Sequence, residues 1–268
     1  SLKESNRLFW IYASVFTISL SLGAYNPLVP LYAQELGASY FDLGIIGSAW
    51  ALPYVLLPVS IGVLSQKIDR RWIFLTGLAC TAANAALFPF ARNVSHLIAI
   101  RIFGGIAYAM MWPTVEAIIS DLTTNEMRAR AMGRYSFSWG MGFLIGPALG
   151  GFILEKTGFT ALFLTSLLIG LPAVAVAMQG LKAPGKRREE KVQKRDFSKT
   201  ALAPIYLAIA AYGFALGTLF SLYPAYASNR GLASLEIGLL FAALGLVRVM
   251  VFLQSEPISR RGEKRAIF

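Results

Sequence analysis

Three charged side chains stand inside long apolar stretches: Arg101, Glu116 and Arg248. Glu116 is the one carboxylate well inside such a stretch. Lipid and protein solvate a carboxylate anion poorly, so a carboxyl group there suits the uptake and release of a proton. Its other reading is structural, as a partner for the polar joint that opens at Asp121, five residues later. Arg101 sits about two turns inside the same stretch, where it must be paired, face water or snorkel to the interface. Arg101 and Glu116 are fifteen residues apart. At ~1.5 Å per residue the rise between them is roughly 22 Å, so they cannot pair within one helix. Arg248 could partner Glu116, hold an anionic substrate or complete a structural ion pair. Aromatic residues accompany these charges: Tyr25, Trp50, Tyr54, Tyr108, Trp112, Tyr135, Trp139 and Tyr212. Tyr108 and Trp112 are four apart, as are Tyr135 and Trp139, so each pair shares one helix face. Such residues either wall a cavity for apolar or cationic molecules or form an interfacial belt.

Other chemistry is excluded by what the chain lacks. It holds one cysteine, Cys80, and one histidine, His96. A protein-built zinc site and a Cys–His dyad are therefore not expected. Metalloprotease, Walker and nucleophile-elbow motifs are missing. No enzyme activity and no cofactor are expected.

The elements that position these residues are membrane helices. The 268 residues are 56% hydrophobic and 15% charged, against about 25% charged in a soluble domain. Twenty of the twenty-five basic residues lie in alternate joints between apolar stretches, beginning with the N-terminal tail. Basic loops mark the cytoplasmic side, so the N-terminus is expected inside. The net charge of +11 is thereby assigned to anionic lipid at the inner leaflet, not to nucleic acid.

Eight spans follow, at roughly 8–33, 41–65, 72–91, 95–120, 130–154, 159–181, 200–227 and 234–254. Each must be helical, since open strands leave unpaired backbone in lipid. Residues 182–199 carry eight basic and three acidic residues. They form a cytoplasmic linker between a six-helix bundle (1–181) and the start of a second bundle (200–268). A shift of 194 aligns Gly23 with Gly217, Pro30 with Pro224, Gly37 with Gly231 and Asp42 with Glu236. Spans seven and eight thus repeat spans one and two in the same orientation, the layout of a two-bundle transporter. A complete second bundle needs four more helices, so the chain is expected to be truncated.

Several motifs resemble the major facilitator superfamily of secondary transporters over essentially the whole chain. Gly142-x-x-x-Gly146-Pro147-x-x-Gly150-Gly151 matches a fifth-span pattern that the family associates with antiporters, especially drug–proton exporters. Glycines every four residues form a bare stripe that another helix can approach, and Pro147 permits a bend. Arg101-x-x-Gly104-Gly105 is similar to the family's R-x-x-Q-G, with Gly104 for Gln; the resemblance implicates Arg101 in proton coupling. Gly62, Gln66, Lys67, Asp69, Arg70 and Arg71 resemble the family's cytoplasmic latch, with Gln66 for its usual Asp and Asp69 for its second Gly. A degenerate second copy spans residues 259–264. Asp121, Glu126, Arg128 and Arg130 resemble its acidic–basic joint, where the arginines pair with carboxylates when the inner side is closed; a helix cap followed by positive-inside charges explains them equally. Asn26-Pro27 resembles the first-span pattern, and Asn26, being neutral, binds polar groups but carries no proton.

The resemblance implies an all-α membrane fold and alternating access between two bundles. The expected function is proton-coupled export of a hydrophobic or organic-cation small molecule by a monomer in the cell membrane. Uptake of a small polar or anionic nutrient on the same fold is the alternative. A membrane sensor or scaffold that does not transport is the second.

Overall fold

A computed structural model describes residues 2–181 and 199–260, so the linker and the last two-thirds of the second latch copy fall outside the described residues. Every described element is helical. Among the described residues six stretches are long and apolar enough to cross a membrane, one of them, Met127–Gly180, holding the fifth and sixth expected spans together.

The first span is built from three pieces. Helix α1 (Leu2–Tyr25) tightens into a 3-10 turn at Asn26–Leu28 and continues as α2 (Val29–Glu35). Pro27 and Pro30 supply no backbone N–H, so the α-helical ladder cannot run through them unbroken. Gly37, at φ +85°, ends α2, and Ala38 N donates to Ala33 O at 2.9 Å. A positive φ suits glycine, which has no Cβ to clash. Ser39 then caps α3 (Tyr40–Leu64) in a reciprocal box with Asp42.

The same geometry recurs 194 residues later. Helix α7 (Lys199–Ser221) breaks at Leu222, and α8 (Tyr223–Asn229) follows with Pro224 in its first turn. Gly231 takes φ +91°, and Leu232 N donates to Ala227 O at 3.1 Å. Ala233 N donates to Glu236 at 2.7 Å as α9 (Ser234–Arg260) begins. The internal repeat is therefore visible in backbone detail.

Between the copies lie α4 (Arg70–Asn84), which tightens to a 3-10 turn at Ala85–Phe90, α5 (Val94–Asp121) and α6 (Asn125–Gly180). Helix α6 holds both the fifth and the sixth expected spans, joined without a loop at Gly158, whose φ is +85°. Its two arms run in opposite directions along α1. In the first arm Tyr12 donates to Ala131 O at 3.0 Å, and Gly146 lies beside Gly23. In the second, Ser21 donates to Ser166 O at 2.6 Å and Arg7 to Gly180 O at 2.9 Å. The chain therefore doubles back at Gly158, with α1 between the arms. Gly158→Ala should cost about 1–2 kcal/mol, because an L side chain is strained at that φ. The drop in Tm of the purified protein measures it.

The helices sort the joints to two ends. Arg7, residues 65–71, Asp121 and Leu122 gather at one. At the other, Tyr32 packs on Phe159 and Asn229 donates to Tyr40 at 3.0 Å. Phe74, Phe88, Phe163 and Leu28 fill the core between helices. Phe152, Leu164, Leu168 and Leu171 on α6 point outward, as a lipid-facing surface requires.

Candidate functional site

The charged residues of the spans meet in one cavity of about 760 Å³ between α3, α5, the first arm of α6, α7 and α9. Arg101 and Glu116 project into it from α5 and mark its two ends. Arg101 Nη1 donates to Asn26 Oδ1, on the 3-10 turn that Pro27 imposes. Its guanidinium also lies 5.6 Å from the centre of the Trp50 ring, a cation–π arrangement. The interface is thus not reached by snorkelling; an amide and an aromatic face hold the cation inside. At the other end Tyr135 OH donates to Glu116 Oε1 at 3.1 Å. Tyr135 is buried and Glu116 faces the cavity space.

Aromatic rings join the two ends. Trp50 meets Tyr108 at 4.7 Å between centroids, Tyr108 meets Trp112 at 5.4 Å, and Trp112 meets Tyr135 at 6.0 Å. Tyr54 packs on both Trp50 and Tyr108. Trp139 lines the same wall. The four-residue spacings on α5 and α6 therefore do put these rings on cavity faces. Phe143 and Phe220 line it too and escaped the sequence reading. Phe143 continues the Tyr135–Trp139 spacing by another four residues, a signal that was available; Phe220 offered none.

One expectation is corrected, and one of the alternatives for Arg248 falls away. Tyr25 does not line the cavity. It is buried between Phe88 and Phe163, at 5.5 and 6.1 Å between centroids, because its position on α1 faces the 3-10 turn after α4 and the second arm of α6. Arg248 is not the partner of Glu116. It lines the cavity with its guanidinium 5.9 Å from the Phe220 ring centre, and it has no carboxylate partner among the described residues.

Gly104, where the family pattern carries Gln, has a local cause. A Cβ there would lie 2.9 Å from Asn84 Oδ1. Asn84 on α4 fills that space and donates to Ile100 O at 3.0 Å, so an amide from a neighbouring helix stands beside this turn of α5.

The glycine motif is a two-sided contact. Cβ atoms at Gly142 and Gly146 would lie 2.5 Å from Ser19 Cβ and 2.7 Å from Leu20 O of α1; at Gly150 one would press still closer on the Ala24 carbonyl. A Cβ at Gly151 would meet α9 instead, 2.5 Å from Ser234 O, and one at Gly238 of α9 would press on Pro147 O. The first arm of α6 is thus clamped between the first span and the eighth.

At the polar end, Arg70 pairs with Asp121 at 2.5 Å and Arg71 with Asp69 at 3.0 Å. Asp69 also caps α4 through Arg71 N at 2.9 Å. Asp121 is therefore held by Arg70, from the joint after the second span. Gln66 and Lys67 line a small polar pocket with Arg7. Gly62 faces open space. Arg128 and Arg130 lie in the first turns of α6; the side chain of Glu126 lies outside the described residues.

The chain is similar to known transporters. The model of the Major Facilitator Superfamily matches residues 11–268. Quinolone resistance protein NorA of Staphylococcus aureus (strain MRSA252) is 28% identical over 234 residues, 84% of this chain and 60% of that protein. Multidrug resistance protein 1 of Bacillus subtilis (strain 168) is 27% identical over 253 residues, 91% of this chain and 64% of that protein. The chain thus spans about 60% of the length of these curated relatives. Among solved structures, an inward-facing, unoccupied bacterial homolog of the human lysosomal transporter Spinster matches with a TM-score of 0.70 at 16% identity, over 98% of this chain and 64% of that one. The human organic anion transporter MFSD10 (TETRAN) matches with a TM-score of 0.69 at 18% identity, over 93% of this chain and 71% of that one.

Proposed function

The chain belongs to the Major Facilitator Superfamily, and on that footing we propose that it works as a multi-pass membrane transporter that exports a hydrophobic or organic-cation small molecule in exchange for protons. The observation that carries the reading is the placement of Glu116. It is the only carboxylate among the described residues lining the cavity, a tyrosine holds it, and aromatic rings surround it. Aromatic walls accept large apolar and cationic molecules through packing and cation–π contact. A carboxylate at the end of that wall can bind either a substrate cation or a proton, and competition between the two couples their movements. The names of the two bacterial relatives, which speak of quinolone and multidrug resistance, support the same direction. Alternating access then exposes the cavity to one side at a time, as two bundles rock about it. In this reading the protein works in the cell membrane with its Arg70 end, rich in basic joints, in the cytoplasm.

A second reading is uptake of an anionic nutrient, favoured by the two arginines, Arg101 and Arg248, that line the cavity without a carboxylate partner. Everted vesicles from cells expressing the complete reading frame separate the two. Export predicts that a fluorescent hydrophobic cation accumulates only when a proton gradient is imposed, with protons leaving as substrate enters. Protons and an anionic substrate moving in the same direction would overturn export in favour of uptake.

A further inference from the structure

A second large groove lies on the opposite side of the first arm of α6 from the transport cavity. Tyr135, Trp139 and Phe143 face that cavity. Arg134, Ser138, Met141 and Ile145 fall on the reverse face, and with α1 residues from Glu4 to Phe16 they bound a groove of about 880 Å³. Its lining is largely apolar: Phe9, Phe16, Phe137, Met141 and Ile145. Its polar rim sits at the end where the basic joints gather.

Most polar groups on that rim are already engaged. Tyr12 donates to Ala131 O, Thr123 to Ile119 O and Ser138 to Arg134 O. Asp121 is neutralised by Arg70. Glu4 stands on the rim as well. The Arg134 guanidinium lies within electrostatic reach of the Tyr12 hydroxyl and forms no ion pair with a carboxylate among the described residues. The mouth of the groove therefore carries the Arg134 guanidinium, with the Glu4 carboxylate on the same rim, above a strip of apolar surface.

The dimensions fit a lipid in one leaflet. Arg134 and Ile145 are eleven residues apart, a rise of roughly 16 Å at ~1.5 Å per residue. Half of a hydrocarbon core about 30 Å thick is the same depth. A headgroup at Arg134 would thus leave an acyl chain running to the bilayer centre along Phe137, Met141 and Ile145. A phosphate diester is the anion that membranes supply at this depth, and guanidinium binds it through paired, charge-assisted hydrogen bonds.

We propose that the groove between α1 and the first arm of α6 binds one glycerophospholipid, its phosphate on Arg134 and an acyl chain on the apolar strip. Both halves of the ligand are needed: the chain for area removed from water, the phosphate for orientation. The site is separate from the transport cavity, and its occupancy does not depend on which substrate the cavity takes.

Native mass spectrometry of the full-length protein in detergent tests this with three probes: phosphatidylglycerol, diacylglycerol of the same chains, and glycerol 3-phosphate. One phosphatidylglycerol should be retained, with neither of the other two. Arg134→Gln should weaken retention about tenfold, the loss expected for one charge-assisted hydrogen-bonding group. Arg134→Lys, which keeps the charge, should restore most of it, and an unchanged Tm in both variants shows that they fold. Diacylglycerol retained as well as phosphatidylglycerol would overturn the proposal, as would retention unaffected by Arg134→Gln. Retention of glycerol 3-phosphate alone would identify a free-phosphate site and overturn it equally.

Discussion

Glu116→Gln removes proton-driven accumulation of substrate and leaves exchange down a substrate gradient intact. The substitution keeps the shape of the side chain, and the amide oxygen still accepts from Tyr135 OH, which donates to Glu116 Oε1 in the native protein. The aromatic contacts from Trp50 to Tyr135 do not involve Glu116, so the cavity wall persists. What disappears is a group that can take up and release a proton: an amide does neither. Accumulation against a gradient should fall to the level of protein-free vesicles, while counterflow of labelled against unlabelled substrate continues. Both are read from the same proteoliposomes, so loss of folding and loss of coupling are separated. Proton-driven accumulation that survives in Glu116→Gln would take this residue out of the coupling mechanism.

Gly150→Val abolishes the packed bundle. The Cβ that valine brings would overlap the carbonyl of Ala24, and its immediate neighbours there are backbone atoms of α1. Backbone cannot rotate away as the end of a flexible side chain can. One turn earlier, a Cβ at Gly146 would meet Leu20 O at 2.7 Å and Gly23 Cα at 2.8 Å, so α1 cannot retreat locally without opening the whole seam. Overpacking in a closed contact costs about 1–3 kcal/mol, and a clash with a helix backbone belongs at or above the top of that range. The same arm of α6 is pinned on its other side by Gly238 and Gly245 of α9. A shift away from α1 would therefore drive it into the second portion of the chain. The expected result is a large fall in Tm, or no folded protein in detergent. Gly133→Ala is the contrast: nothing lies within 4 Å of the added methyl, so stability should hold. Equal Tm for Gly150→Val and the native protein would show that this seam does not support the fold.

Several features of the protein were set by the sequence alone. The apolar run lengths specified the spans, since each must cover the hydrocarbon core with its backbone paired internally. Pro27, Pro30, Gly37 and their copies at 194 residues' distance specified where the first and seventh spans break, because those constraints are local to the backbone. The bare glycine stripe specified that some helix approaches the fifth span closely. The tertiary structure decided which helix: α1 on the stripe, α9 on the side of Pro147 and Gly151. It also decided that Tyr25 is core while Tyr135 is cavity, that Asp121 belongs to Arg70, and that Asn26 holds Arg101. The physical reason is the solvent. In water an apolar stripe marks the buried face of a helix and so fixes its rotation. In a bilayer the outward face is as apolar as the packed one, so hydropathy marks that a helix crosses but not which way it is turned. Rotation is settled by close packing and by the few polar groups that must find partners, and both depend on residues far apart in the chain.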